Sequence, residues 1–393
     1  MNRREMAKAI GGAAFTAASY RRVLGANDRV SMALIGSGRR GTIVMRALLE
    51  TGRADLRCIC DVYDVHRKQA KDTLAPGNNE LVECAAHEEA LQSPGIDAAL
   101  IAAPDHLHIE IASTALGAGK HVYLEKPTTH RFNEQEKLRQ AAARSGKVLQ
   151  CGTQQRSGEH YIRAREDIFE RNRLGKVVMV RTMWSDFPWQ TRHLQPHPKP
   201  AGLDWNRFLG PAPPVPFDWL RYDSWRYFPD YGNGLMADIL THWADVAQWM
   251  MNETHPLTAA ATGGIYDRAD HDGRVNPDTV NALLRYPGDW NLTFESSVLP
   301  LKAQQPTVVF LGTEGSLDIS RERYIFMPNR GSQQLVQAAG PLEIAHAANF
   351  LDAVTKGVKP NASVETGIAA CNPVHLANRA YWEKRTVAWE ELV

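Results

Sequence analysis

The sequence carries almost no net charge and no long apolar run. Lysine plus arginine number 45 against 44 aspartate plus glutamate, a formal balance of +1. That removes the basic field by which a phosphate backbone or an anionic membrane surface attracts a protein. Neither nucleic acid nor membrane is therefore expected as a partner. No uninterrupted apolar stretch approaches the ~18–20 residues needed to cross a bilayer. Cysteine is scarce: Cys58, Cys60, Cys84, Cys151 and Cys371 make an odd number without a C-x-x-C pair. Cys58 and Cys60 fall on one face of a strand candidate and cannot easily bridge each other. Buried free thiols are expected. Internal repeats and low-complexity tracts are absent.

What is present is a chain of 393 residues with 44% apolar and 23% charged residues, long enough for two globular domains. Near its start stands Gly36-Ser37-Gly38-Arg39-Arg40-Gly41. An apolar run, Val30 to Ile35, precedes it, and apolar residues at helical spacing follow from Thr42 to Leu49. Strand, glycine turn and helix together are what a G-x-G-x-x-G match needs to mean a dinucleotide site. The first glycine permits the tight turn, the second lets backbone approach a pyrophosphate, and the third lets helix pack on strand. The helix N-terminus offers unpaired N–H groups to the phosphates. Twenty residues past Gly41 a second apolar strand ends in Asp61, where a carboxylate would accept hydrogen bonds from the adenosine ribose.

Strand candidates at Val30–Ile35, Leu56–Cys60, Leu81–Cys84, Ala98–Ala102, His121–Leu124 and Val148–Cys151 alternate with helical stretches. This alternation predicts a doubly wound parallel sheet over residues 29–152. After residue 152 the rhythm changes. A helix over His160–Arg173, a strand over Lys176–Asp186 and a proline- and aromatic-rich segment precede a helix over Asp238–Met250. Six strands then follow without intervening helices, and two helices, Leu342–Lys356 and Val364–Lys384, close the chain. Residues 153–393 are thus expected to form an α+β domain with an open, mostly antiparallel sheet. Residues 1–28 read differently. Arg3-Arg4 stands before a short alanine- and glycine-rich segment, resembling a twin-arginine export signal, so export to the periplasm is expected, with a cytoplasmic location as the alternative.

Three clusters can carry chemistry. Ala103-Pro104-Asp105-His106-Leu107-His108 follows the fourth strand, outside whose carboxyl end ligands of such sheets lie; Asp105 also suits a helix cap. Glu125-Lys126-Pro127 ends the fifth strand, which aims an ammonium toward the cofactor cleft. Asp238, His242 and Asp245 stand at helical spacing on one face. No H-E-x-x-H or similar set accompanies them, and no metal is expected. Five of the ten tryptophans, with Tyr222, Tyr227, Phe228 and Tyr231, fall between residues 184 and 231. Such aromatics suit the C–H faces of a sugar, and equally a core or a subunit interface.

On Gly36–Gly41 with Asp61, Pro104-Asp105-His106-Leu107-His108, the stretch Ala118 to Pro127 ending in Glu-Lys-Pro, and Gly232-Asn233-Gly234 leading to Asp238-x-x-x-His242, the chain resembles the Gfo/Idh/MocA oxidoreductases from residue 29 to about 390. The resemblance implies a Rossmann domain followed by a substrate domain whose open sheet often forms a homodimer or homotetramer interface. It places the loop residues Gly36, Ser37, Gly38, Arg39, Arg40 and Gly41 with Asp61, Ala103, Pro104, Asp105, His108, Glu125, Lys126 and Gln154 around the cofactor. It assigns Lys126, Trp184, Arg156, Tyr231, Asp238 and His242 to the substrate. Lys126 would lie near the nicotinamide ribose and the reacting hydroxyl, with Pro127 in a cis peptide. His242 would be the acid–base and Asp238 its companion. Arg39-Arg40 could sit over the adenine or accept a 2′-phosphate, which leaves NADP open, while Asp61 would repel that phosphate and favours NAD.

The implied activity is hydride transfer between nicotinamide and a secondary hydroxyl of a sugar, glycoside or cyclitol. Two alternatives stand beside it: an NAD-dependent glycosidase that oxidises its substrate transiently, eliminates the aglycone and re-reduces, and a non-catalytic sugar or dinucleotide sensor. An exported enzyme meets little free NAD, so tightly retained cofactor is expected with export.

Overall fold

The computed structural model describes residues 29–185, 197–267, 273–299 and 307–393; the expected export segment lies outside them. In the first half, six strands alternate with helices. They are β1 (Val30–Ile35), β2 (Ala54–Cys60), β3 (Val82–Cys84), β4 (Ala98–Ile101), β5 (His121–Leu124) and β6 (Leu149–Cys151). Between them run α1 (Arg39–Glu50), α2 (Asp64–Leu74), α3 (His87–Gln92), α4 (His108–Gly117) and α5 (Gln135–Ser145). The strand order is β3-β2-β1-β4-β5-β6, all parallel. Helices cover both faces, so β4 is buried at every position and β1 at all but Ser31. The order reverses between β1 and β4, and the crevice outside their carboxyl ends is where such sheets bind ligands. All five cysteines are free and buried.

The second half opens with α6 (Glu159–Ala164), which runs on into a π-helical turn over Arg165–Phe169 and stops short of the expected Arg173. Then come β7 (Val177–Ser185), α7 (Trp205–Leu209), α8 (Trp219–Asp223) and α9 (Thr241–Met251). The strands that follow are β8 (Thr258–Gly264), β9 (Thr279–Tyr286), β10 (Trp290–Ser297), β11 (Thr307–Gly312), β12 (Gly315–Ile319), β13 (Arg323–Pro328) and β14 (Gln334–Gln337). The closing elements are α10 (Leu342–Lys356), α11 (Val364–Glu383) and β15 (Val387–Ala388). The sheet order is β14-β13-β12-β11-β7-β10-β9-β8-β15, antiparallel except for β7 beside β10. In β9 and β10 buried and exposed residues alternate, because helices α9 and α11 cover one face only. The other face carries exposed Val178, Leu283 and Leu335.

One closing helix departs from the expected division. Helix α10 packs into the first sheet's core, where Ala347, Phe350 and Leu351 join Met32, Leu34, Leu100 and Tyr123. The chain thus returns to its first domain after building the second. That return fixes the two halves around one cleft.

Candidate active site

The glycine loop shows three different reasons for three glycines. A Cβ on Gly36, whose φ is +84°, would stand 2.6 Å from the Ala102 carbonyl carbon. One on Gly41 would stand 2.0 Å from the Gly36 carbonyl oxygen. Both are required by the fold. At Gly38 a Cβ would meet nothing within 4 Å. That glycine keeps a space clear in front of the first turn of α1, where Gly38 is the N-cap and no side chain caps the free N–H groups. This is the shape and polarity that receives a pyrophosphate.

A cavity of about 610 Å³ opens from this loop. It is lined by Gly36, Gly38, Arg39, Asp61, Ala103 and Pro104 from the first sheet, and by Trp219, Tyr222 and Arg226 from the aromatic segment. Asp61 accepts from the backbone N–H groups of Ser37 (2.8 Å) and Tyr63 (2.9 Å). Its carboxylate has further acceptor positions for hydroxyls. The described residues fit the dinucleotide that the loop called for.

Arg40 lines the same cavity and is held from its far side. Its Nε donates to Glu125 (2.8 Å) and its Nη1 to Glu343 on α10 (3.2 Å). It ties loop to helix, its Nη2 has no partner among the described residues, and Arg39 remains exposed. Gln154 points to the same junction, its Nε2 3.4 Å from Glu343. Glu125 is buried and held by Arg40. His108 is buried too, with Nδ1 2.7 Å from the Pro127 carbonyl and Nε2 2.9 Å from that of Ala103. It clamps the loops after β4 and β5 together and does not line the cavity. The Lys126–Pro127 peptide is cis.

At the inner end of the cleft the two halves meet. The Lys126 ammonium donates to the Asp238 carboxylate (2.6 Å) and to the Asp238 backbone carbonyl (2.9 Å). An ammonium has three donors, so one remains for a further acceptor. Asp238 lies in a π-helical turn, Met236–Leu240, that leads into α9; the expected plain α-helix from Asp238 is interrupted there. Arg226 brings its Nε to 3.4 Å from the same carboxylate. Lys126 and Arg226 hold the Asp238 carboxyl well below its ordinary range, against burial that would raise it.

His242 is 5% exposed, and its Nδ1 is buried without a hydrogen-bond partner. Burial first, then the positive charges of Lys126, Arg321 and Arg40, push its pKa well below 6.5. Asp238 hydrogen-bonds Lys126, while its charge also acts on His242, raising that imidazole against the larger effect of burial. Asp105, 6% exposed, has its carboxyl pushed up to about 7 by burial, with Lys126 and Arg226 opposing.

Of the residues assigned to the substrate side, Arg156 and Tyr231 are engaged elsewhere, and Trp184 lies next to His242. Arg156 donates through Nε to both oxygens of buried Asp245, at 2.8 and 3.0 Å. This also separates Asp245 from Asp238. Tyr231 is fully buried, packs on His106 and Phe208, and receives Arg221 at its hydroxyl. Trp184 stands beside the site, tilted against His242 (6.3 Å between centroids), but Arg321 lies over its ring. The aromatics from Trp205 to Tyr231 form a small core that roofs the cofactor cavity. They pack as a core, and Trp219, Tyr222 and Trp225 of that core also line the cavity. Sequence reasoning missed Arg226, Arg321 and Glu343. Only Arg226 carried a signal, as a cation between Trp225 and Tyr227.

Two family models match the chain. "Oxidoreductase family, NAD-binding Rossmann fold" covers residues 30–153, and "GFO/IDH/MocA C-terminal domain" covers residues 205–318. The myo-inositol 2-dehydrogenase of Thermotoga maritima is 23% identical over 371 residues, which cover 92% of this chain and 98% of that enzyme. Among solved structures, an aldose-aldose oxidoreductase from Caulobacter crescentus aligns with a TM-score of 0.72 at 19% identity, over 92% of this chain and 99% of that one. Levoglucosan dehydrogenase in complex with NADH and levoglucosan aligns with a TM-score of 0.71 at 19% identity, again over 92% and 99%.

Proposed function

The chain belongs to the Gfo/Idh/MocA oxidoreductases and is an NAD-dependent dehydrogenase of that family; from that premise we propose that it oxidises a secondary hydroxyl of a sugar, glycoside or cyclitol through Lys126, Asp238 and His242. The observation that carries the reading is the 2.6 Å contact between Lys126 and Asp238, which puts an ammonium from one half and the helix bearing His242 from the other at one cleft. Bound NAD supplies the hydride acceptor. The chain's own groups handle the proton and the charge. Lys126, with one donor left, stabilises negative charge developing on the substrate oxygen. Asp238 holds the ammonium in place. His242, neutral because of its burial and its cationic neighbours, is the group ready to take the hydroxyl proton. NADH accumulation with one member of a panel of sugars, sugar acids, glycosides and cyclitols is the expected result. No reduction with any of them, by protein that binds NAD, would remove the reading.

Asp105 favours a second reading, glycoside cleavage by transient oxidation. Elimination and hydration need a second proton-carrying group, and a carboxyl titrating at about 7 beside Lys126 is suited to it. Aglycone release from aryl glycosides without net NADH is its signature. Export through the twin-arginine route belongs to the same proposal, with NAD retained through purification. So does self-association through the open sheet face that carries Val178 and Leu283.

A further inference from the structure

Among the described residues, every cation named at the inner end of the cleft but one has an acidic partner. Lys126 and Arg226 share Asp238, Arg40 lies between Glu125 and Glu343, and Arg156 is held by Asp245. Arg321 differs. It stands in the turn between β12 and β13, and its guanidinium lies over the Trp184 ring, 4.6 Å from the centroid. Its Nε is buried and has no partner, and among the described residues no carboxylate or carbonyl accepts from its other nitrogens. The hydroxyl of Tyr161, buried within electrostatic reach of Arg321, is also unpartnered. Buried polar groups are nearly always hydrogen-bonded in native proteins, and a buried charge most of all.

The position of this cation matters. Trp184, which supports it, tilts against His242, and Arg321 is among the charges that reach that imidazole. The unmatched guanidinium therefore lies within electrostatic reach of His242, on the other side of the contact that Trp184 makes. Its planar fork matches a carboxylate, which accepts two parallel N–H bonds. One unmatched cation calls for one negative charge. A phosphate dianion would bring a second charge against Glu343, which is close enough to Arg321 to act on it.

We infer that the substrate is an acidic sugar or cyclitol, a ring bearing a carboxylate that Arg321 receives while a ring hydroxyl faces Lys126 and His242. The inference rests on the reading of this site as a sugar dehydrogenase and narrows it to sugar acids such as hexuronates.

The test uses the full chain loaded with NAD. Calorimetric titration and kcat/KM are measured with D-glucuronate, D-galacturonate, their neutral hexoses and the corresponding hexose phosphates. At least one hexuronate is expected to exceed its hexose by roughly 10–100-fold, the range for hydrogen bonds to a charged group. Arg321→Gln is expected to bring acid and neutral sugar to within about threefold of each other, and Arg321→Lys, which keeps the charge without the fork, to fall between. Equal use of acids and hexoses, a preference for the phosphates, or a preference for acids that survives Arg321→Gln overturns the inference. The two readings fail separately. Absence of NAD reduction with every sugar refutes the dehydrogenase assignment, while the titration still reports whether acids bind better than hexoses and whether Arg321 is the reason.

Discussion

Lys126 and Asp238, 112 positions apart, meet at 2.6 Å with their side chains only 12% and 15% exposed. A pair so placed joins the strand-end loop of one domain to a helix of the other, so its loss has consequences for both stability and chemistry. Removing one partner leaves the other's charge in a poorly solvated place. Asp238→Ala is expected to lower the unfolding free energy by about 3–5 kcal/mol. The double variant Lys126→Met/Asp238→Leu recovers most of that loss. Both are inactive, with hydride transfer slowed by roughly 10²–10⁴-fold. Denaturant titration beside single-turnover NADH formation separates the two effects.

The glycine loop makes a contrast that needs no substrate. Gly36→Ala forces a side chain into the Ala102 backbone at positive φ and is expected to unfold the first domain. Gly38→Ala adds a methyl group to open space and leaves Tm within a few degrees, yet it weakens NAD binding by about tenfold or more. Thermal melts with and without NAD report both outcomes. Equal damage to Tm from the two substitutions would contradict the assignment of Gly38 to the pyrophosphate.

His242 and pH are linked with a definite sign. Its native pKa lies well below 6.5, so the folded chain keeps the imidazole neutral where the unfolded chain protonates it. Its contribution to stability is complete above about pH 6.5 and is lost as pH falls below that value. In His242→Asn the decline of Tm between pH 6.5 and 5 is expected to be shallower than in the parent. The same neutrality predicts that kcat/KM for oxidation shows no acid limb from His242 near pH 6.5.

Asp105 supplies the transition that His242 does not. Its carboxyl is pushed up to about 7 by burial, so a limb near neutrality is expected from it. Asp105→Asn is expected to remove that limb from the kcat/KM profile. If cleavage of aryl glycosides is the reaction, the variant loses aglycone release more than it loses hydride transfer.

Much of this was legible in the sequence because it depends on local pattern. Strands β1 and β5 and helix α10 begin and end where periodicity placed them. The short edge strands β14 and β15 and the small helices α7 and α8 were not found, since two to five residues carry too little periodicity. The glycine loop and Lys126 were legible because turn geometry and strand ends are written in a few adjacent residues. The partners of those residues were not. Asp238 hydrogen-bonds Lys126 of the other half, and it stands in a π-helical turn that nothing in local composition announces. Arg156 reads as a free cation until the fold brings buried Asp245 to it. Arg321 lies in a hairpin turn whose sequence looks like ordinary surface, and its place over Trp184 is a consequence of sheet register alone.

The most direct test of the central claim is a single turnover with NAD-loaded protein and a ring substrate deuterated at the reacting carbon, comparing the parent with Lys126→Met. Deuterium appearing on the reduced nicotinamide in the parent, with a rate at least about 10²-fold lower in the variant, is the result this account predicts. Transfer at the parental rate in Lys126→Met, with NAD and substrate bound as before, would contradict it.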